Sequence, residues 1–281
     1  MKKVLVTGAA GQLGQCFQKI ASEYPNFEFI FKTSAALDVT QEAAIRSFFQ
    51  QEKIAICINC AAYTNVEQAE TEVEKAFEIN ATAAGKLAKV CAENAAILVH
   101  FSTDYVFDGT ARKPYAETDA VHPINQYGAS KLEGEKQIQQ QLEAHYIIRT
   151  SWLYSEFGHN FFNTIRRRAS EGNELHITTA QKGTPTNAND LASFVLKILT
   201  LKKAHFGVYH FSNEGEATWY DFAREIVEIS QFQTTVNPSG FYQTKAERPE
   251  YSVLSKEKIA ETFGLEIPHW RESLRGLIAK I

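Results

Sequence analysis

Val4-Leu5-Val6-Thr7-Gly8-Ala9-Ala10-Gly11-Gln12-Leu13-Gly14 reads as a short strand that runs through a glycine loop into a helix. Val4 to Val6 is an apolar run, whereas Leu13, Phe17, Ile20 and Ala21 recur at helical spacing. A loop at such a junction presents peptide N–H groups and the positive end of a helix dipole to an anion. Glycine permits both the tight turn and a close approach. The spacing is G-x-x-G-x-x-G, not the G-x-G-x-x-G of the better-known dinucleotide fingerprint, so an ordinary strand-to-helix turn remains open on this stretch alone.

Outward from it, β-type apolar runs alternate with helical patterns through the first half of the chain. Val4 to Val6, Phe29 to Phe31, Ile54 to Asn59, Ile97 to Phe101 and Tyr146 to Arg149 are the expected strands, and Ala76, Ile79, Ala83, Leu87 and Val90 mark a long helix among them. That alternation predicts an α/β fold, a Rossmann-like doubly wound parallel sheet. It places a dinucleotide-binding domain at 1–150. The alternation weakens after Thr150, so 151–281 is expected to be mainly a substrate-binding region, with segments near 186–211 returning to the sheet. Thr218 and Asp221 have the spacing of a capped helix start, with an acidic residue in place of the usual Glu or Gln.

The chain has 281 residues, 44% apolar and 22% charged, enough to bury a core without disulfides or metals. Its formal charge of -4 argues against nucleic acid, which requires a basic excess to neutralise phosphates. Arg166-Arg167-Arg168 is the one basic run and reads as a solvated helix face. No apolar stretch approaches the roughly eighteen residues of a membrane span, and the N-terminus enters a strand in place of a signal-peptide core, so a cytoplasmic protein without a membrane partner is expected. Cys16, Cys57, Cys60 and Cys91 fit a reducing compartment. Cys57-x-x-Cys60 lies in a strand-like run, where an odd offset points two thiols to opposite faces, so it is read as a structural pair. The eight histidines lack metal-ligand spacing, and no catalytic metal is expected.

Candidate chemistry gathers at the carboxyl ends of the strands. Tyr127 and Lys131 stand four residues apart in Tyr127-Gly128-Ala129-Ser130-Lys131 and would share a helix face. A phenol ordinarily loses its proton near about pH 10, and an ammonium beside it is expected to lower that value toward neutrality, giving a proton donor and acceptor at working pH. Thr103, in Ser102-Thr103-Asp104-Tyr105-Val106-Phe107, would hydrogen-bond a substrate oxygen, with loop chemistry as its plainer reading. Ala61-Ala62-Tyr63-Thr64 follows the third strand and would leave room for a cofactor. Where an acidic residue would bind the ribose 2'-hydroxyl of NAD, the chain has Phe31-Lys32-Thr33-Ser34, which leans toward the 2'-phosphate of NADP. Asp38 either contacts adenine or caps the helix that Gln41 begins. Trp152 lies just past a strand end, where its ring could stack on a sugar or base.

These residues together resemble the extended short-chain dehydrogenases/reductases over nearly the whole length. The resemblance is carried by Val6 to Gly14, Asn59-Cys60-Ala61-Ala62-Tyr63-Thr64, Ser102-Thr103-Asp104-Tyr105-Val106-Phe107-Asp108-Gly109, Tyr127-Gly128-Ala129-Ser130-Lys131, Arg149-Thr150-Ser151-Trp152, Asn160-Phe161 and Gly183-Thr184-Pro185-Thr186. It implies hydride reduction of the 4-keto group of dTDP-4-dehydro-L-rhamnose by NADPH or NADH, on the way to cell-surface polysaccharide. Thr103, Tyr127 and Lys131 would do the chemistry. Gly8, Gly11, Gln12, Leu13, Gly14, Asp38, Val39, Ala61, Ala62, Tyr63 and Thr64, with Tyr127 and Lys131, would line the cofactor. Thr103, Asp104, Trp152, Asn160 and Arg248 would meet the nucleotide-sugar, Arg248 at its diphosphate, and Asn80 would help hold water near the lysine. Two alternatives stay open: a reductase or epimerase of another nucleotide-sugar, and a non-catalytic regulatory subunit of the same fold. A homodimer is an open assembly state.

Overall fold

Along the first strand, β1 (Lys2–Thr7), successive side chains divide between two apolar layers: Val4 and Val6 enter one, Leu5 the other. The structure is a computed structural model that describes residues 1–240 and 244–281. With β2 (Phe27–Phe31), β3 (Ile56–Asn59), β4 (Ile97–Thr103), β5 (His145–Thr150) and the strand Gly207–His210, β1 forms a six-stranded sheet. The order is Gly207–His210, β5, β4, β3, β1, β2, and every neighbouring pair is parallel. Helices cover both faces, as an all-parallel sheet requires. On one face α1 (Gln12–Ile20) and the helix Ala188–Thr200 pack on Val4, Val6, Ile56, Ile58, Val99 and Ile148. On the other, α2 (Glu42–Glu52) and the helices Ala83–Glu93 and Gln126–Gln141 pack on Leu5, Cys57, Leu98 and Ile147.

The odd offset of Cys57 and Cys60 has the consequence expected of it. Cys57 belongs to the second layer, Cys60 packs against the first, and all four thiols are free. A separate core of Tyr154, Phe162, Ile165, Phe222, Ile226, Trp270 and Leu274 joins the helices Phe161–Ser170, Trp219–Ile229 and Trp270–Ile278. The helix Trp219–Ile229 opens on a capping box in which Thr218 and Asp221 bond each other's backbone. Of the arginine run, Arg167 and Arg168 are exposed, while Arg166 is half-buried over the Phe162 ring.

Strand order reverses between β1 and β3, and at such a switch point the carboxyl ends of the strands open a crevice. Across from it, Glu135 on the helix Gln126–Gln141 clasps Arg149 of β5 with contacts of 2.9 and 2.7 Å, both side chains buried. The guanidinium also faces the Phe107 ring at 5.3 Å. Removing one partner leaves the other charge buried without an answer. Glu135→Ala should therefore lower unfolding free energy by about 3–5 kcal/mol in urea titrations. Arg167→Ala, which removes an exposed pair with Glu171, should cost about 1 kcal/mol or less, and equal losses would contradict the assignment.

Candidate active site

Gly8 leaves β1 with φ +61, and a Cβ there would lie 2.6 Å from the Ala61 nitrogen, so the turn requires glycine twice over. Gly14 lets α1 close onto the loop, since its Cβ would meet the Gly8 carbonyl oxygen at 2.6 Å. Gly11 donates its N–H to Gly8 at 2.9 Å and stands at the N-cap of α1 without a side chain to satisfy the first turn. The N-terminal helix end at Gln12, Leu13 and Gly14 therefore suits an outside acceptor, and this cradle fits a dinucleotide pyrophosphate. The loop is tied to the end of β2, where Ala9 donates to the Lys32 carbonyl and the Lys32 ammonium lies 5.0 Å over the Phe48 ring. Asp38 is exposed and spends Oδ1 on Thr40 N and Oγ1, both at 2.9 Å, closing a turn ahead of α2 without capping it. Val39 is buried in the second apolar layer. Ala61 and Ala62 are half-buried, Thr64 is exposed, and Tyr63 is buried with its phenol on Glu72.

The long helix expected through Ala76 to Val90 is broken. Val73–Phe77 and Ala83–Glu93 are α-helical, and a π-turn at Glu78–Thr82 separates them. The bulge turns Asn80 inward, where its amide accepts from Tyr63 N at 2.8 Å and donates to the Tyr63 carbonyl and Ser130 Oγ at 3.0 Å. Asn80 thus welds the cofactor-side loop to the Tyr127 helix.

That helix starts at Gln126, capped by Asn125, and a Cβ at Gly128 would stand 2.1 Å from the Tyr105 carbonyl oxygen. Close docking brings the Tyr127 phenol beside the Thr103 hydroxyl at the end of β4. Lys131 is 2% exposed and donates its ammonium to the Phe101 carbonyl. Burial lowers its pKa to about 8, with Glu135 pulling the other way. The phenol departs from expectation: burial pushes Tyr127 up to about 12, against a smaller opposing pull from Thr103. The ammonium is bonded to the Phe101 carbonyl, and removal of the phenol from water decides its acidity. At neutral pH Tyr127 holds its proton and is a donor.

Sequence reasoning missed a polar row beneath the lysine. Thr7 Oγ1 donates to Asn59 Oδ1 at 2.7 Å, Ala61 N donates to the same oxygen at 3.2 Å, and Asn59 Nδ2 meets His100 Nδ1 at 3.1 Å. A peptide N–H only donates, so Asn59 Nδ2 is a donor and His100 Nδ1 an acceptor. Burial, with Lys131 nearby, holds the imidazole well below the usual histidine range and hence neutral. Polar residues inside two apolar strand runs were the available signal.

On the substrate side, Asp104 is 2% exposed and burial raises its carboxyl to about 6, opposed by Ser252 and Thr103. Trp152 is half-buried with φ +45, flat against Trp219. Asn160 caps the helix Phe161–Ser170 and donates to Gln12 Oε1 and to the carbonyls of Ser155 and Phe157. Arg248 pairs with Glu67 at 2.8 Å near the Tyr105 phenol, while Lys245 N also reaches Glu67 and the Glu247 carbonyl takes Asn125 Nδ2. The partners Glu67 and Trp219 were not foreseen.

The family model described as RmlD substrate binding domain matches residues 1–281. The chain belongs to that family. It is 35% identical to the dTDP-4-dehydrorhamnose reductase of Aggregatibacter actinomycetemcomitans, over 99% of both chains. Among solved structures, a dTDP-4-dehydrorhamnose reductase from Bacillus anthracis in complex with NADP superposes with a TM-score of 0.95 at 35% identity, covering 100% of each chain. Another from Clostridium acetobutylicum gives 0.94 at 39%, covering 99% of each. The likeness runs end to end, through the sheet and the second core alike.

Within this family member, the buried lysine has a signature independent of turnover. In an NMR titration of lysines labelled at Cε, one resonance should titrate near pH 8 and vanish in Lys131→Met, while ordinary lysines titrate near about 10.4. The protonated form is the one below that midpoint. Titration of every lysine at the ordinary value would contradict the described burial.

Proposed function

We propose that this protein reduces the 4-keto group of dTDP-4-dehydro-L-rhamnose to give dTDP-L-rhamnose, using NADPH or NADH, within nucleotide-sugar and cell-surface polysaccharide synthesis. The carrying observation is the Tyr127 phenol, kept protonated by burial and set beside Thr103 at the rim that also holds a glycine cradle suited to a dinucleotide. When bound, the cofactor supplies hydride, and the protein supplies binding, orientation and the proton.

Tyr127 gives its proton to the oxygen that becomes the alcohol. Thr103 holds that oxygen through its hydroxyl, and the Lys131 ammonium stabilises the phenolate left behind and orients the nicotinamide ribose. Gly11 to Gly14 bind the pyrophosphate, and Ala61 to Thr64 border the same crevice. Asp104 and Trp152 take the sugar. Arg248 serves the diphosphate, and its pairing with Glu67 keeps the guanidinium oriented before substrate arrives. Lys32, with Thr33 and Ser34 next to it, favours NADPH through the 2'-phosphate. An intact Tyr127, Lys131 and Thr103 weigh against a non-catalytic regulatory role. Among the described residues, no helix is long and apolar enough to cross a membrane.

Following nicotinamide absorbance with enzymatically generated keto-sugar tests the reading directly. Tyr127→Phe removes the proton donor alone and should lower kcat by about a hundredfold or more, with cofactor affinity nearly unchanged. Unchanged kcat would overturn the catalytic assignment. Lys32→Glu should weaken NADPH relative to NADH by about tenfold, and an unaltered ratio would remove Lys32 from the 2'-phosphate site.

A further inference from the structure

Trp152 occupies a backbone conformation that bulky residues avoid, with φ +45. Such a residue persists only where its surroundings over-determine it. Here they do so from several sides. The Trp219 ring lies 3.7 Å away, tilted by 9°, so the two indoles stack face to face with nearly parallel planes. Gly183 sits against the indole edge, where a Cβ would come within 2.7 Å of Cε2, and Thr186 N donates to the Trp152 carbonyl at 3.2 Å.

Trp219 is itself fixed. Its Nε1 donates to Gln181 Oε1 at 2.9 Å, Phe161 packs on it at 4.6 Å, and it begins a helix held by the Thr218–Asp221 capping box. Trp152 follows β5 by two residues, and Thr150 at the end of that strand pairs in register with Thr103. The stack therefore stands at the rim that carries Thr103, with one indole anchored in the second core and the other on the sheet side. Both rings remain half-exposed.

We propose that Trp219 is a positioning residue, setting the plane of Trp152 so that the pair forms a flat wall for the apolar face of the 6-deoxysugar. The inference rests on the proposed function and deepens it. A deoxysugar offers C–H groups and a methyl on one side, and an indole face packs against such a surface. A rigid wall fixes the distance and tilt of the keto carbon relative to Tyr127, and small misplacements there are costly. Trp219 acts through Trp152, without touching the reacting atoms.

Steady-state kinetics of a double-mutant cycle tests this in the intact protein. Trp219→Leu keeps apolar bulk and loses the flat ring. It should raise KM for the keto-sugar nucleotide by about tenfold while leaving KM for NADPH within about twofold. Trp219→Phe should bring the sugar KM back to within about threefold of the wild type, because a ring still stacks. In a Trp152→Ala background, Trp219→Leu should add nothing, since the ring it positions is gone. An unchanged sugar KM in Trp219→Leu, or full additivity in the cycle, would overturn the inference while leaving the reductase reading intact. Absence of keto-sugar turnover in the wild type would overturn both.

Discussion

An ammonium taken out of water must be answered by oxygen, and Lys131 finds its answer in the Phe101 carbonyl, with the negative charge of Glu135 favouring it through space. That requirement ties the Tyr127 helix to β4 at a fixed height. Glu135 is committed in turn to Arg149 on β5, so the helix is clamped to two adjacent strands by charge as well as by apolar packing. Gly128 and Gly134 make the approach feasible, because a Cβ at either would sit 2.1 Å from a backbone carbonyl oxygen. The neutral His100 beneath the lysine adds no competing cation.

From that clamp the rest of the site follows. Tyr127 emerges one turn before Lys131, at the height of Thr103, and stays protonated because it too is withdrawn from water. The same strand ends carry the glycine cradle, since β1 and β3 flank the point where the sheet reverses its order. Asn80 joins the two halves by bonding Tyr63 on the cofactor side and Ser130 on the helix side. A proton donor and an anion cradle thus share one rim, which is the arrangement that carbonyl reduction by a dinucleotide needs.

Much of this was legible along the chain because it depends on local periodicity. The alternation of strand-like and helical segments announced a parallel sheet with helices on its faces, Cys57 and Cys60 separated as their offset demanded, and Thr218 with Asp221 formed its cap. What escaped was set by distant neighbours. The π-turn at Asn80 leaves no mark on helical spacing, because Ala76, Ala83 and Leu87 stay buried on either side of it. The acidity of Tyr127 is set by how deeply its own phenol is buried, which no i to i+4 spacing records. Arg248 meets Glu67 and Trp152 meets Trp219 across long stretches of chain, and pairings of that kind need the fold before they can be read.

The most direct test of the account is a crystal structure of the protein with NADPH bound. The account predicts the pyrophosphate at the N–H groups following Gly11, the ribose of the nicotinamide within hydrogen-bonding reach of Lys131, and the nicotinamide ring beside the Tyr127 phenol. A nicotinamide ring seated away from Tyr127 and Lys131 would contradict it.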